Sequence, residues 1–560
     1  MRLLLLSCLL AGSAAAAERQ FADAIYLNGD ILTGEALTAA QPTRVAALAV
    51  RAGRVEAAGS VAQMAALRGP HTQVTDLHGA FAMPGFNDAH LHLGDAGITA
   101  LETDLRGVRS LAELKARVAD SARRASPGAW LRGGGWDHTL WPSPQLPSRA
   151  DLDAVTAGHP AVFDRTDGHI AVANSAALKA QGITRATRDP GGGQIDRDPQ
   201  GEPTGILRET AWVQFAARIP PPAPQQRRRG LEIALADAAR NGLTSVQDYS
   251  RWDDFLVFEQ LEREGKLPVR VSEWLTFNEP LEVLERERAA HSADDPLLHT
   301  GMLKGFMDGS LGSRTAALEA PYSDDPKNRG IPRYEQGPLN ELTVARARAG
   351  FQIGFHAIGD RGVAMALGAF AAAEAALPPG QGAAARFRIE HDQVIAPADL
   401  RRQASLQVIA SMQPSHLLND MRWALQRLGP ERARYSYAWQ SMLANGIPLA
   451  FGTDYPVETV PPVRGLYAAI TRLPEPDPVM PTTPAYFPEE RLSIAQALYA
   501  YTQGSAFAEK MEKDKGTLEN GRLADFVVLD HDLLRATPLE IYNTRVLRTV
   551  VGGRTVYAVP

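Results

Sequence analysis

Short apolar segments typical of buried β-strands alternate with alanine-rich helical stretches along the middle of the chain, and this alternation constrains the fold most strongly. The first segment ends near His90, and the others lie at 242–248, 269–274, 302–306, 351–356, 387–391, 408–413 and 448–454. A strand, a helix and a second strand in succession give a βαβ unit with parallel strands. Eight strands of this kind predict an α/β protein built as a (β/α)8 TIM-like barrel.

Three further regions lie outside this repeat. Strand-like segments separated by turns occur between residues 22 and 80 and again near the end, at 524–530 and 545–557. They predict one small β-sandwich built from both chain ends, at 18–80 and 515–560, with the barrel at 81–514. The gap after the first barrel strand is too long for one helix, so we expect an insertion at about 104–225 over the catalytic end of the barrel.

The first residues have the composition of a targeting signal. Met1 and Arg2 precede an apolar run that ends in small residues, which predicts a signal peptide at 1–17 and export to the periplasm or the medium. A lipoprotein leader ending before Cys8 is the alternative, although it would be unusually short. Cys8 is the only cysteine, so the mature chain would contain no disulfide and no cysteine-based metal site.

Charge and hydropathy restrict the expected partners. The chain has 58 Lys and Arg residues against 64 Asp and Glu residues, a net charge of −6, without long runs of like charge. This balance argues against a nucleic-acid partner, and no segment beyond the leader is apolar enough for stable membrane insertion. We expect a small-molecule substrate, and the predicted outer helices show no apolar stripe that would define an oligomer interface.

Possible metal ligands stand at the carboxyl ends of several predicted strands, where barrel enzymes place their active sites. They are His90, His92, Lys304, His356, His391 and Asp454. Alternate residues of a strand share one face, so His90 and His92 can hold one metal ion together. A lone histidine at a strand end is usually a hydrogen-bonded core residue, but this succession of ligand types predicts a metal centre.

These segments resemble the amidohydrolase superfamily, specifically the branch related to N-substituted formamide deformylase. The matching motifs are residues 83–92, Lys304 with 307–314, and residues 356–360, 390–391, 411–416 and 452–456. The resemblance covers nearly the whole mature chain and implies the same barrel and split sandwich. It implies less about the substrate, because this branch is large and chemically diverse.

The resemblance also implies a metal-binding scheme. His90, His92 and Asp454 would hold one divalent ion, and His356 and His391 a second, with zinc expected and Mn, Fe or Ni as alternatives. Lys304 matches a lysine that bridges the two ions after carboxylation. An unmodified lysine, with a pKa near 10.4, has no lone pair to offer, so two ions are expected with a carboxylated Lys304 and one without.

This chemistry predicts a metal-dependent hydrolase that cleaves a non-peptide C–N bond of amide, N-acyl or N-formyl type. A bound divalent ion lowers the pKa of a water to about 7. Asp454 would take the proton of the attacking water and pass one to the leaving group, while the second ion or His416 polarises the carbonyl. An ester, lactone or phosphoester hydrolase remains an alternative, as does a periplasmic binding protein without turnover, against which the presence of Asp454 counts.

Three more residues are candidates for substrate binding. Trp136 would belong to an aromatic wall of the insertion that covers an apolar substrate, although tryptophan is also a common core residue. His169 lies in a polar segment that either reaches the site or only anchors the insertion. Arg314 would bind a substrate carboxylate through two hydrogen bonds, or hold its own loop.

Overall fold

The computed structural model describes residues 21–138, 141–165, 170–191, 193–476 and 484–559. The predicted signal peptide at 1–17 and the candidate His169 lie outside these ranges. Among the helices within them, none combines the length and the apolar character needed to cross a membrane.

The chain starts with short strands that precede the barrel. They are β1 (Ala24–Leu27), β2 (Asp30–Leu32), β3 (Arg44–Val45), β4 (Ala47–Arg51), β5 (Arg54–Gly59), helix α1 (Val61–Met64), β6 (Gln73–Asp76) and β7 (Phe81–Pro84). The first barrel strand, β8 (Phe86–Leu91), and helix α2 (Leu93–Leu101) follow directly. Every residue of β8 is buried, as expected of a strand enclosed by helices.

The predicted insertion is confirmed as a layer with its own sheet. Its elements are β9 (Thr103–Asp104), α3 (Leu111–Arg124), β10 (Leu131–Trp136), α4 (Arg149–Asp153), β11 (Ala161–Arg165), β12 (Ile170–Ala173), α5 (Ser175–Ala180), β13 (Gly193–Arg197), β14 (Pro203–Glu209) and α6 (Thr210–Ala216). The strand order is β13-β14-β12-β11-β10-β9. Helices α3 and α4 pack on one face of this sheet and α5 and α6 on the other, so each face has a separate hydrophobic core.

Helix α3 illustrates how local sequence defines these elements. The Ser110 side chain accepts a hydrogen bond from Glu113 N at 3.1 Å and so caps the first turn. Leu114, Val118 and Ala122 recur every four residues and are the buried positions of the helix. This spacing turns one apolar stripe toward the insertion sheet.

The eight predicted barrel strands are confirmed. After the insertion the chain forms α7 (Pro224–Arg240), β15 (Leu243–Asp248), α8 (Trp252–Arg263), β16 (Arg270–Thr276), α9 (Leu281–Ala289), β17 (Leu298–Phe306), α10 (Gln336–Arg348), β18 (Ile353–Ala357), α11 (Asp360–Ala376), α12 (Gln381–Ala385), β19 (Arg388–His391), α13 (Pro397–Ser405), β20 (Ile409–Met412), α14 (His416–Asp420), α15 (Ala424–Ala433), α16 (Trp439–Ala444), β21 (Leu449–Phe451), α17 (Pro462–Thr471), α18 (Ile494–Tyr499) and α19 (Ser505–Ala508). Strands β8 and β15 to β21 form one eight-stranded sheet in chain order. All of its strand pairs are parallel.

The two chain ends meet in a sandwich beside the barrel. The last elements are β22 (Phe526–Leu529), α20 (Pro538–Asn543), β23 (Val546–Val551) and β24 (Arg554–Ala558). One sheet has the order β5-β4-β1-β6 and the other β24-β23-β22-β7-β2-β3. The two share a core in which the rings of Tyr26 and Phe526 meet edge to face at 4.8 Å. Strand β7, which the predicted boundary assigned to the barrel, lies in this sandwich because it pairs with β2 and β22.

A buried ion pair joins the sandwich to the barrel. Arg270 on β16 donates from Nε to Asp525 Oδ2 at 2.6 Å and from Nη2 to Asp525 Oδ1 at 2.9 Å. The side chains are only 6% and 7% exposed. Charges buried to this extent are stable only when both partners are present.

We expect Asp525→Asn to lower the free energy of unfolding by about 3 kcal/mol or more, since it leaves the Arg270 guanidinium buried without a counter-charge. Urea denaturation followed by circular dichroism measures this change. Arg545→Gln is the matched control, because Arg545 pairs with Asp530 while its side chain is 80% exposed, and its loss should cost less than about 1 kcal/mol. Equal urea midpoints for the two variants would show that the buried pair adds no stability.

Candidate functional site

Six side chains converge at the carboxyl end of the barrel. The sequence analysis proposed five of them as metal ligands and the sixth, His416, as a catalytic residue. They are His90 and His92 at the end of β8, His356 on β18, His391 on β19, Asp454 after β21, and His416 at the start of α14. The ring centroids of neighbouring histidines are 4.5 Å apart for His356 and His391 and 4.9 Å apart for His90 and His391. Parallel strands deliver these side chains to one edge, where they surround a common space.

Four of these histidines have one ring nitrogen against an oxygen that can only accept a hydrogen bond. The contacts are His90 Nδ1 with Glu390 Oε2 at 2.7 Å, His92 Nδ1 with Tyr249 O at 2.9 Å, His356 Nε2 with Gly309 O at 3.0 Å, and His391 Nδ1 with Gln413 Oε1 at 2.7 Å. The nitrogen in each contact therefore carries the proton. The other nitrogen keeps the lone pair that a metal ion requires.

Burial places these groups in the charge states of metal ligands. It lowers the pKa of His90 and His391 well below the usual value and that of His356 to about 3, so these imidazoles are neutral. Burial opposes the charge of Asp454, but the neighbouring His90 and the close imidazoles of His416 and His92 outweigh it and lower the pKa of this carboxyl group well below its usual value. Burial disfavours a charged His92, yet the Asp454 carboxylate raises the pKa of this imidazole. Three neutral imidazoles, those of His90, His356 and His391, thus lie near an ionised carboxylate.

The spacing of the donor atoms fits a divalent cation. Asp454 Oδ1 lies 2.9 Å from His92 Nε2 and 3.7 Å from His90 Nε2, and although it is buried it has no hydrogen-bond partner among the described residues. Ligand atoms at about 2.0–2.2 Å from one tetrahedral ion are themselves about 3.3–3.6 Å apart. A second group, made of His391, His416 and Asp454, also brings its ligand atoms within 4.8 Å of one another. The donor set therefore suits one or two ions that share Asp454.

Lys304 stands beside the first histidine pair. Its Nζ donates to His90 Nε2 at 2.9 Å, and the side chain is buried among Tyr249, Trp274 and Phe306. Burial lowers the pKa of Lys304 to about 8. The lysine therefore places a readily deprotonated amine at the lone pair of a candidate ligand.

A strained turn holds Asp454 in position. Its φ of 59° lies in the left-handed region, which residues other than glycine rarely adopt. Asp88 stabilises this turn, because its carboxylate accepts hydrogen bonds from Thr453 N at 3.0 Å and Thr453 Oγ1 at 2.6 Å. Strain of this kind persists only where surrounding contacts compensate for it, and it is characteristic of functional sites.

The sequence analysis did not single out the residues that orient the histidines. Glu390, which accepts from His90, also receives a hydrogen bond from Arg388 Nε at 2.8 Å, and both side chains are buried. Arg388 Nη2 further donates to Ser411 Oγ and Ala89 O, each at 2.8 Å. One feature of the sequence could have identified them. Residues 388 and 390 are both charged and alternate along a strand in which every residue is buried, so they lie on the same face and need partners there.

Two cavities flank the convergence point and give small molecules access to it. One, of about 500 Å³, is lined by five of the six converging side chains, with Leu311, Trp423 and Val457 among the apolar walls. The other, of about 540 Å³, lies on the Tyr249 and Trp274 side. His92 and Phe306 line both, so the two cavities adjoin at this candidate ligand.

The candidates for substrate contact fare differently from the metal ligands. Trp136 is fully buried in the insertion core, where its Nε1 donates to Phe163 O at 2.9 Å, and therefore lies away from the barrel mouth. Arg314 donates to both carboxylate oxygens of Asp324, at 3.1 and 2.9 Å. It therefore holds its own loop, which was the alternative to binding a substrate carboxylate. His169 lies outside the described residues.

The sequence profile of the amidohydrolase family matches residues 73–557. The protein LONG AFTER FAR-RED 3 of Arabidopsis thaliana is 34% identical over 548 residues, covering 96% of this chain and 92% of that protein. N-substituted formamide deformylase of Arthrobacter pascens is 26% identical over 559 residues, covering 95% and 98%. The crystal structure of an uncharacterized metal-dependent hydrolase from Pyrococcus furiosus superposes with a TM-score of 0.75 at 30% identity, covering 91% of this chain and 100% of that one.

Glu390→Gln should weaken metal binding by about 10- to 100-fold, because a neutral amide holds the His90 ring less firmly than a carboxylate does. Equilibrium dialysis of the chelator-treated protein against buffered zinc measures this affinity. Glu512→Gln is the control, since Glu512 pairs with Arg386 away from the metal ligands. Equal zinc affinities for the two variants would contradict an orienting role for Glu390.

Proposed function

The chain belongs to the amidohydrolase family of metal-dependent hydrolases, and from this membership we propose that it cleaves a non-peptide C–N bond of amide, N-acyl or N-formyl type. The observation that carries the proposal is the convergence of histidine nitrogens on a buried carboxylate oxygen of Asp454 for which the described residues supply no hydrogen bond. The similarity to an enzyme named as an N-substituted formamide deformylase supports the bond type.

The proposed ligand scheme assigns His90, His92 and Asp454 to one divalent ion and His356 and His391 to a second. Asp454 would be shared by both ions, because its ligand atom also lies within 4.8 Å of that of His391. A bound zinc ion would supply Lewis acidity and a water of lowered pKa at this point. The protein would orient the ligands through Glu390, Tyr249 O, Gly309 O and Gln413, which fix the protonated nitrogen of each imidazole.

Asp454 and His416 are the proposed acid–base groups. His416 Nε2 lies 3.3 Å from Asp454 Oδ2, and both side chains line the 500 Å³ cavity. Burial disfavours a charged His416, but the Asp454 carboxylate outweighs this effect and raises the pKa of the imidazole. His416 would thus donate a hydrogen bond to the substrate carbonyl, while Asp454 would move a proton from water to the leaving nitrogen. An amide nitrogen leaves readily only after protonation.

Lys304 is proposed to bridge the two ions as a carbamate. Only the neutral amine reacts with CO2, and at pH 7 about one-tenth of an amine with a pKa near 8 is neutral, against less than about 0.1% of an ordinary lysine. The buried position beside His90 therefore favours both the modification and its use as a ligand.

Lys304→Ala should bind one or two ions fewer per chain than the wild type, because the bridging carboxylate is lost. In the wild type, zinc uptake by the metal-free protein should require bicarbonate and rise between pH 6 and pH 8. The sign follows from the pKa of about 8, since the neutral amine increases from about 1% to about half over this interval. Elemental analysis after dialysis measures both effects. Equal metal contents in Lys304→Ala and the wild type would exclude the bridge.

Asp454→Asn should lower kcat on the amide substrates by about 100- to 10,000-fold, because it removes the proton carrier. The measurement is product release from a panel of N-formyl and N-acyl amines and matched esters, with metal-loaded protein. Asp530→Asn is the control, since Asp530 pairs with Arg545 in the terminal sandwich. Turnover of esters alone would replace the proposed bond type. Inertness of the whole panel, with ligand binding unchanged in Asp454→Asn, would favour a binding protein.

We also propose that the chain is exported and loses residues 1–17. Intact mass spectrometry of the protein from a periplasmic fraction should give a chain that begins at Glu18. A lipid-modified chain that begins at Cys8, and disappears in Cys8→Ser, would instead establish the lipoprotein alternative.

A further inference from the structure

A second cluster of metal-ligating side chains lies at the opposite end of the barrel. It comprises Glu259 and Glu262 in the last turns of α8, His291 after α9, and Asp295 in the loop before β17. Helix α8 ends, and β17 begins, at the amino-terminal face of the sheet, so the barrel separates this cluster from the catalytic side chains. None of the four residues has a part in the proposed reaction.

His291 is oriented as a metal-binding imidazole. Its Nδ1 contacts Glu259 Oε1 at 3.1 Å, and an acceptor there holds the proton on Nδ1. The other nitrogen, Nε2, is buried and has no hydrogen-bond partner in the part of the chain that the structure describes. A carboxylate on one ring nitrogen with the opposite nitrogen left open is the arrangement that supports a histidine ligand in metal sites.

Two carboxylates face this open nitrogen at ligand spacing. His291 Nε2 lies 3.5 Å from Glu262 Oε2 and 3.6 Å from Asp295 Oδ2. These separations match the edge of about 3.3–3.6 Å expected between two ligands on a tetrahedral ion. Asp295 Oδ1 accepts from Leu297 N at 2.7 Å, which fixes the carboxylate and leaves Oδ2 directed at the cluster.

The surrounding charges leave the cluster negative. Within the described ranges, neither Glu262 nor Asp295 has a lysine or arginine within 4 Å, and Arg263 reaches only Glu259, at 3.7 Å. The exposed fractions of the side chains are 14% for His291, 18% for Glu262 and 29% for Asp295. Burial and the neighbouring Asp295 raise the pKa of Glu262 to about 7, so a proton shared with Asp295 relieves part of the repulsion between the two carboxylates, and a bound cation would displace that proton.

From this geometry we propose a structural divalent-cation site in which His291 Nε2, Glu262 and Asp295 are the ligands and Glu259 orients the imidazole. One nitrogen with carboxylate oxygens suits zinc or manganese. A bound ion would join the end of α8 to the loop between α9 and β17, and would therefore stabilise the barrel without entering the reaction.

The test counts zinc bound to the full chain after chelation and dialysis against buffered zinc. His291→Gln should bind about one ion fewer per chain than the wild type, and zinc should raise its Tm less. His531→Gln is the matched control, because His531 also contacts a carboxylate, at 2.8 Å from Asp530 Oδ1, but lies in the terminal sandwich. The difference between His291→Gln and the wild type should persist when both also carry Asp454→Ala, which separates this site from the catalytic ions.

Glu262→Gln provides a second variant if His291→Gln does not fold, and should weaken zinc binding at this site at least about tenfold. A zinc-edge anomalous map from crystals of the wild-type protein should show a peak bonded to His291 Nε2. An equal zinc count in the wild type, His291→Gln and Glu262→Gln, or a map without this peak, would overturn the proposal and leave His291 as an ion-pairing residue only.

Discussion

Two backbone hydrogen bonds close the barrel between its first and last strands, and the candidate metal centre depends on them. Asp454 N donates to His90 O at 2.7 Å, and His92 N donates to Tyr455 O at 2.8 Å. Both candidate ligand groups use the Asp454 carboxylate, so neither would be complete if the last strand separated from the first. Asp88 stabilises this closure by accepting two hydrogen bonds from Thr453, and these contacts explain why the strained turn at Asp454 is maintained.

Paired buried charges stabilise the positions on which this closure relies. Arg388 compensates Glu390 inside the barrel, and Glu390 in turn orients His90. Arg270 and Asp525 play the corresponding role between the barrel and the sandwich. A buried charge is costly to leave unpaired, so each pair disfavours arrangements in which its partners separate. The same reasoning applied to His291, Glu262 and Asp295 leads to the proposed cation, because among the described residues neither carboxylate has a lysine or arginine within 4 Å.

The sequence predicted the barrel and the insertion, and the candidate ligands that it named lie together in the structure, whereas Trp136 and Arg314 make contacts elsewhere. Apolar segments ending in histidine or aspartate identify strands and their carboxyl ends, because parallel strands must all end at one face. Trp136 and Arg314 carried no such constraint. A tryptophan fits a core or a cavity wall equally well, and an arginine binds any carboxylate within reach, here Asp324. The predicted boundary placed strand β7 in the barrel. Its pairing partners in the sandwich lie more than 400 residues away, as Phe526 does from Pro84, so the local sequence does not indicate this pairing.

By itself, the sequence determined the fold class and the identity of the candidate ligands, since strand periodicity and residue type are local properties that survive in any packing of the elements. Tertiary structure alone decided which nitrogen of each histidine faces the candidate metal centre. It also decided which charged side chains orient those histidines and which cavities open onto the centre. These features arise from contacts such as that between His90 and Glu390, which are 300 residues apart. The physical reason is that a side chain's partners are set by the packing of distant elements, whereas its capacity to bind is set by its own chemistry.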